Sequence, residues 1–177
     1  MSSSTILILG GNSIEHKEWI KTLKTEFNEF SDNFILHRYK HWYCEEEMID
    51  FYFELEQMRK YDDYKHLIII AKSVGAILAI KAIQNNILNP EKCVFMGFPL
   101  DWAYKNYLNI DSWSAYFSTP TLIFQNTKDP YCSFPKLQEY IECQEMQNIE
   151  FFTFENSTHN YINYEKMREV VRDFLNK

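Results

Sequence analysis

Short apolar runs alternate along the chain with longer stretches in which apolar residues recur every three or four positions. The first kind reads as strand, the second as amphipathic helix. Strands are predicted at 6–9, 34–39, 67–71, 92–96, 121–125 and 150–154. Between them, Ile20, Leu23, Phe27 and Phe30 share a helical face behind a cap at Ser13. Met48, Phe51, Tyr52, Leu55 and Met58 do the same in a helix predicted over 45–60, and Ala76, Ala79, Ile80, Ile83 and Ile87 in one that ends before Pro90. Pro135 suits a first helical turn and leads Leu137, Tyr140 and Ile141. A last helix, from about 163, carries Met167, Val170, Val171 and Phe174.

Six short strands separated by helices predict a parallel sheet covered on both faces, a three-layer α/β fold. Its crossovers should be right-handed, and its ligands should bind beyond the carboxyl ends of the strands. The segment 98–119 breaks the rhythm. It is crowded with Phe98, Trp102, Tyr104, Tyr107, Trp113, Tyr116 and Phe117 and reads as an irregular excursion, either lining an apolar pocket over the site or covering the sheet. With 177 residues and neither repeat nor low-complexity linker, residues 1–177 are expected to form one domain.

Charge and composition narrow the partners. A net charge of −7 argues against nucleic acid, which demands concentrated positive charge. The run Glu45-Glu46-Glu47 reads as the acidic first turn of a helix. No apolar run approaches the roughly 18 residues of a membrane span. Met1-Ser2-Ser3-Ser4 lacks a basic region, and the apolar run at 6–9 is too short for a signal peptide, so a cytoplasmic location is expected. Cys44, Cys93, Cys132 and Cys143 form no metal-binding spacing and are expected to be reduced, buried thiols, with Cys132 close to the site.

The candidate chemistry sits at strand ends. In Ala71-Lys72-Ser73-Val74-Gly75 a serine lies between small residues, after a buried strand and before a helix. A sharp turn there exposes the hydroxyl, and the helix N-terminus points amides at a reacting oxygen. Serine also needs a base, an acid behind the base, and oxyanion donors. His159, in the polar loop after the last strand, is the candidate base. Asp129, just past the fifth strand, is the candidate acid, with Asp101 in reserve. Backbone amides of Val74 and of Asn12 or its neighbour Gly11 would bind the oxyanion. Phe98 and Trp102 are candidate substrate contacts. Each feature alone also fits an ordinary turn or a surface loop; the order Ser, Asp, His at three strand ends is what joins them. GxGxxG and GxxxxGK[ST] are absent around Gly10-Gly11-Asn12.

At these residues the chain resembles the alpha/beta-hydrolase superfamily over nearly its whole length. The segment 71–75 is similar to the GxSxG elbow, Gly10-Gly11-Asn12 to the HG-x oxyanion loop, residues 120–129 to the strand and loop that carry the acid, and His159 to the terminal histidine. Gly97-Phe98-Pro99-Leu100 is similar to a segment of small, lid-poor, dienelactone-hydrolase-like members, some of which carry cysteine where this chain has serine. Ala71, Gly10 and Asn126 depart from the family pattern. The resemblance implies a minimal fold without the two leading antiparallel strands of larger members and with strand order 2-1-3-4-5-6. It implies a serine hydrolase of a small ester or thioester, with no metal or organic cofactor. A catalytically silent binding module of the same fold and a flavodoxin-like nucleotide binder are the rival expectations.

Overall fold

A computed structural model describes residues 4–44 and 48–177. Within these residues six strands form one sheet: β1 (Thr5–Leu9), β2 (Asn33–Leu36), β3 (Leu67–Lys72), β4 (Lys92–Met96), β5 (Thr121–Asn126) and β6 (Ile149–Phe154). All pairs are parallel, in the order β2-β1-β3-β4-β5-β6. Inner strands of such a sheet lie between two helical layers, which is why β1, β3 and β5 are buried at every position. The edge strands β2 and β6 keep partly exposed residues.

Among the described residues seven α-helices cover the sheet: α1 (His16–Glu26), α2 (Phe51–Met58), α3 (Val74–Gln84), α4 (Leu100–Lys105), α5 (Ile110–Ser114), α6 (Phe134–Cys143) and α7 (Tyr164–Leu175). The chain turns towards β2 after β1 but towards β4 after β3. Right-handed crossovers therefore put α1 and α3 on opposite faces and open a crevice between the ends of β1 and β3. Helix α3 packs on α2 and α5. Helix α7 is tied to the end of α1 and the turn after it by Arg168–Glu26 (2.5 Å) and Arg172–Glu29 (2.6 Å).

The second strand ends at Leu36 rather than Tyr39, and three further regions differ from the sequence expectation. The second helix begins at Phe51 rather than near 45, because the Asp50 side chain accepts the Phe53 amide at 3.0 Å and caps the helix there. Tyr52 is consequently 84% exposed and Met48 is also exposed. The acidic run at 45–47 lies outside the described residues. Ser13 caps less directly than expected: α1 starts at His16 with no side-chain cap, and Ser13 contributes its carbonyl to the His16 amide. The segment 98–119 folds into α4 and α5, with Leu100, Ala103, Ile110 and Phe117 in the core. All four cysteines are free; Cys93 and Cys132 are buried, whereas Cys44 and Cys143 are exposed. No helix among the described residues is long and apolar enough to cross a membrane.

Candidate active site

Ser73 stands between β3 and α3 with φ 54° and ψ −125°, a conformation disfavoured for any residue with a side chain. Strain of this kind is worth about 1–3 kcal/mol and persists only where the surroundings impose it. Here the Ser73 amide donates to the Met96 carbonyl at 2.9 Å, continuing the β3–β4 ladder one residue past the end of β3. Two residues on, Gly75 allows α3 to cross the end of β1: a β-carbon there would lie 2.6 Å from the Gly10 carbonyl oxygen. Val74 is the first residue of α3, so its amide has no intrahelical partner and is available to an anion.

The loop after β1 is braced from behind. Tyr39 Oη donates to the Gly10 carbonyl (2.9 Å), and His41 Nε2 donates to the Asn12 carbonyl (2.7 Å), which Trp42 Nε1 also approaches at 3.3 Å. The Ile49 amide donates to Asn12 Oδ1 at 2.9 Å. These bonds hold residues 10–12 as a fixed loop. Tyr39, His41 and Trp42 are buried, so the short helical turn Lys40–Tyr43 serves the loop as well as the core.

Across the crevice, Asp129 is buried and fully engaged. Its Oδ2 accepts from His159 Nδ1 (2.8 Å) and from Tyr161 Oη (2.7 Å), and its Oδ1 accepts from the Tyr131 amide (2.9 Å). Three donors compensate the removal of this carboxylate from water. The carboxylate can only accept, so the hydrogen on His159 Nδ1 points at Asp129, and Nε2 is the nitrogen that accepts in the neutral ring. Among the described residues His159 Nε2 has no hydrogen-bond partner. The Ser73–His159 bond expected from the sequence is therefore open, as nucleophile–base bonds commonly are before substrate tightens them. Asn126 Nδ2 donates to the Thr158 carbonyl at 2.7 Å and fixes the loop that carries the histidine.

Asn12, Ser13, His16, Ser73, Val74, Trp102, Tyr131 and His159 line one cavity of about 240 Å³. It gathers the three residues expected to carry chemistry (Asp129 from behind His159), both expected oxyanion residues, and Trp102. Phe98, expected as a substrate contact, is instead in the core, 1% exposed and stacked on Tyr140, because the positive-φ turn at Gly97 carries the chain inward, where the Phe98 amide donates to Gln125 Oε1 at 2.9 Å. Asp101 pairs with Lys136 on the surface and does not reach the histidine. Cys132 is buried near Asp129, and burial pushes its thiol up to about 12, which removes it as a nucleophile at neutral pH. Among the described residues no group of three or more His, Cys, Asp or Glu is placed to hold a metal ion.

Three contributors escaped the sequence reading. Tyr161, two residues after His159, is one. Gly97 is another: it has φ +67°, and a β-carbon there would lie 2.6 Å from Tyr161 Cε2 and 2.8 Å from His159 Cε1. Gly97→Ala is expected to lower stability by about 1–3 kcal/mol through backbone strain and to cut kcat about tenfold or more by displacing the imidazole. Urea denaturation and steady-state kinetics check the two effects. The third is His16, which borders the cavity from the start of α1.

A family model described as an alpha/beta hydrolase domain matches residues 38–175, a span that includes Ser73, Asp129 and His159. Solved structures of similar fold include an esterase of Pyrococcus furiosus (14% identity, TM-score 0.73, covering 99% of this chain and 82% of that one). Esterase 2 of Thermogutta terrifontis, phosphorylated by paraoxon, is 13% identical with TM-score 0.74, covering 98% and 82%. Est1E of Butyrivibrio proteoclasticus, with ferulic acid bound, is 13% identical with TM-score 0.70, covering 97% and 88%. At these identities the likeness establishes the fold. No curated protein matches the chain.

Proposed function

The chain belongs to the alpha/beta hydrolase domain family, and from that premise we propose that it is a serine hydrolase cleaving a small carboxylic ester or thioester through an acyl-enzyme on Ser73. The observation that carries the reading is the pairing of a strained serine at a strand-to-helix turn with a carboxylate-backed imidazole on the same cavity. Ser73 Oγ attacks the carbonyl carbon while His159 Nε2 takes its proton. Asp129 holds the imidazole in the tautomer that can do so and stabilises the cation that forms. The amides of Val74 and Asn12 receive the oxyanion. Collapse of the tetrahedral adduct expels the alcohol or thiol, which takes the proton from His159. Water, deprotonated in turn by His159, then releases the carboxylic acid and restores Ser73.

The cavity volume favours short acyl groups. The mechanism uses no metal or organic cofactor, and four free thiols suit the cytoplasm. That the Thermogutta terrifontis esterase is phosphorylated by paraoxon suggests the same probe here. A panel of nitrophenyl esters with two- to eight-carbon acyl chains, beside acyl thioesters, is expected to show turnover highest for the short chains and abolished by paraoxon. No turnover on any member, together with no reaction with paraoxon, contradicts the proposal and favours a silent binding module of the same fold.

A further inference from the structure

The catalytic cycle leaves one imidazole in the cavity without a role. His16 borders the same space as Ser73 and His159. Its Nδ1 lies 3.1 Å from the Ser13 carbonyl oxygen. A carbonyl only accepts, so Nδ1 is the protonated nitrogen and Nε2 keeps its lone pair. The ring rests directly on Gly11, where a β-carbon would lie 2.7 Å from His16 Cε1 and 3.0 Å from Nε2. Trp19 meets it edge-on, with ring centroids 5.9 Å apart. The ring is thus fixed beside the oxyanion loop, with Nδ1 engaged by Ser13 and Nε2 lying against Gly11 on a residue that lines the cavity.

The two imidazoles of the cavity differ in what stands behind them. His159 is backed by the Asp129 carboxylate at 2.8 Å. His16 is backed by a neutral carbonyl. Burial first, and the charge of nearby Lys72 second, push its pKa down to about 4. Such a ring accepts a hydrogen bond but does not serve as a base at neutral pH. A lone pair held in a partly dry pocket discriminates between ligands, because a substrate lacking a donor leaves it unmatched.

We propose that His16 Nε2 is a specificity-determining acceptor for a hydroxyl carried within a few bonds of the scissile carbonyl, so that hydroxy esters are the preferred substrates of this site. Trp102 lines the same cavity, whose volume of about 240 Å³ keeps a substrate hydroxyl in the same small space as the ring. The inference rests on the serine hydrolase reading given above.

The test is a ratio of kcat/KM values for matched esters: 2-hydroxyethyl against propyl butanoate, and methyl 3-hydroxybutanoate against methyl butanoate. At least one hydroxy ester is expected to exceed its plain partner about tenfold or more in the wild-type protein. In His16→Leu that ratio should collapse towards one, whatever the absolute rates. His16→Gln, which keeps an acceptor oxygen, should restore part of it. A purely structural histidine would lower both members of a pair together and leave the ratio intact. A wild-type ratio near one for both pairs, or a ratio that survives in both variants, overturns the inference while leaving ester hydrolysis standing. Absence of turnover on all four esters, with no paraoxon adduct on Ser73, overturns the hydrolase reading and this inference with it.

Discussion

Ser73→Ala is expected to lower kcat/KM on a short-chain nitrophenyl ester about 10,000-fold or more, leaving only the residual rate that binding and oxyanion donors provide. The same substitution should leave stability within about 0.5 kcal/mol of wild type. The reason is local. The Ser73 hydroxyl caps no amide of α3, so deleting it strands no buried partner, and alanine meets the same backbone strain as serine at φ 54°. Ser73→Gly separates the two effects. Glycine relieves the strain, so this variant should be more stable by about 1 kcal/mol and equally inactive. Urea midpoints beside ester kinetics check both variants. A gain in stability on loss of the hydroxyl-bearing side chain is the expected mark of a conformation kept for chemistry.

The second large effect is expected from Asp129→Asn. Asp129 accepts from three donors: His159 Nδ1 and Tyr161 Oη at one oxygen, and the Tyr131 amide at the other. An asparagine has one accepting oxygen and one donating nitrogen. If the nitrogen replaces Oδ2, it opposes both His159 and Tyr161, and the imidazole must turn its lone pair inward to Nδ1. Nε2 then carries a proton and cannot take another from Ser73. If the nitrogen replaces Oδ1, it opposes the Tyr131 amide and leaves a buried donor unmatched. A loss of about 10,000-fold in kcat is expected, with a much smaller change in KM. The unmatched donor should also lower stability by about 1–3 kcal/mol. Steady-state kinetics and urea denaturation separate the two losses.

The inner strands of the sheet were readable because they are buried on both sides. Leu67 to Ala71 and Thr121 to Gln125 are nearly unbroken apolar runs, and that pattern belongs to inner parallel strands. Ser73, Asp129 and His159 all lie in the turns or loops that follow β3, β5 and β6, and parallel strands deliver their ends to one edge, which is why the folded chain brings these three expected residues near one another. Val74 and Trp102 were likewise found on the cavity. What escaped depends on tertiary contacts that no local pattern encodes. Phe98 looks like a pocket residue by composition, but the positive φ at Gly97 sets the course of the chain that buries it. The start of α2 was misplaced because the helical spacing of apolar residues continues upstream of Asp50, whereas the cap decides where the helix begins. Tyr161 and His16 are single polar residues in a turn and at a helix start, and only the folded chain brings them to Asp129 and to the cavity.

The central claim is that the Ser73 hydroxyl is made nucleophilic by His159 acting with Asp129. Intact-mass and peptide-mapping analysis after incubation with paraoxon measures this directly. The expected result is one diethyl phosphoryl adduct per chain, located on Ser73, absent in Ser73→Ala and formed far more slowly in Asp129→Asn. A wild-type protein that turns over esters yet carries no adduct on Ser73, or labels equally fast when Asp129 is replaced, would contradict the mechanism.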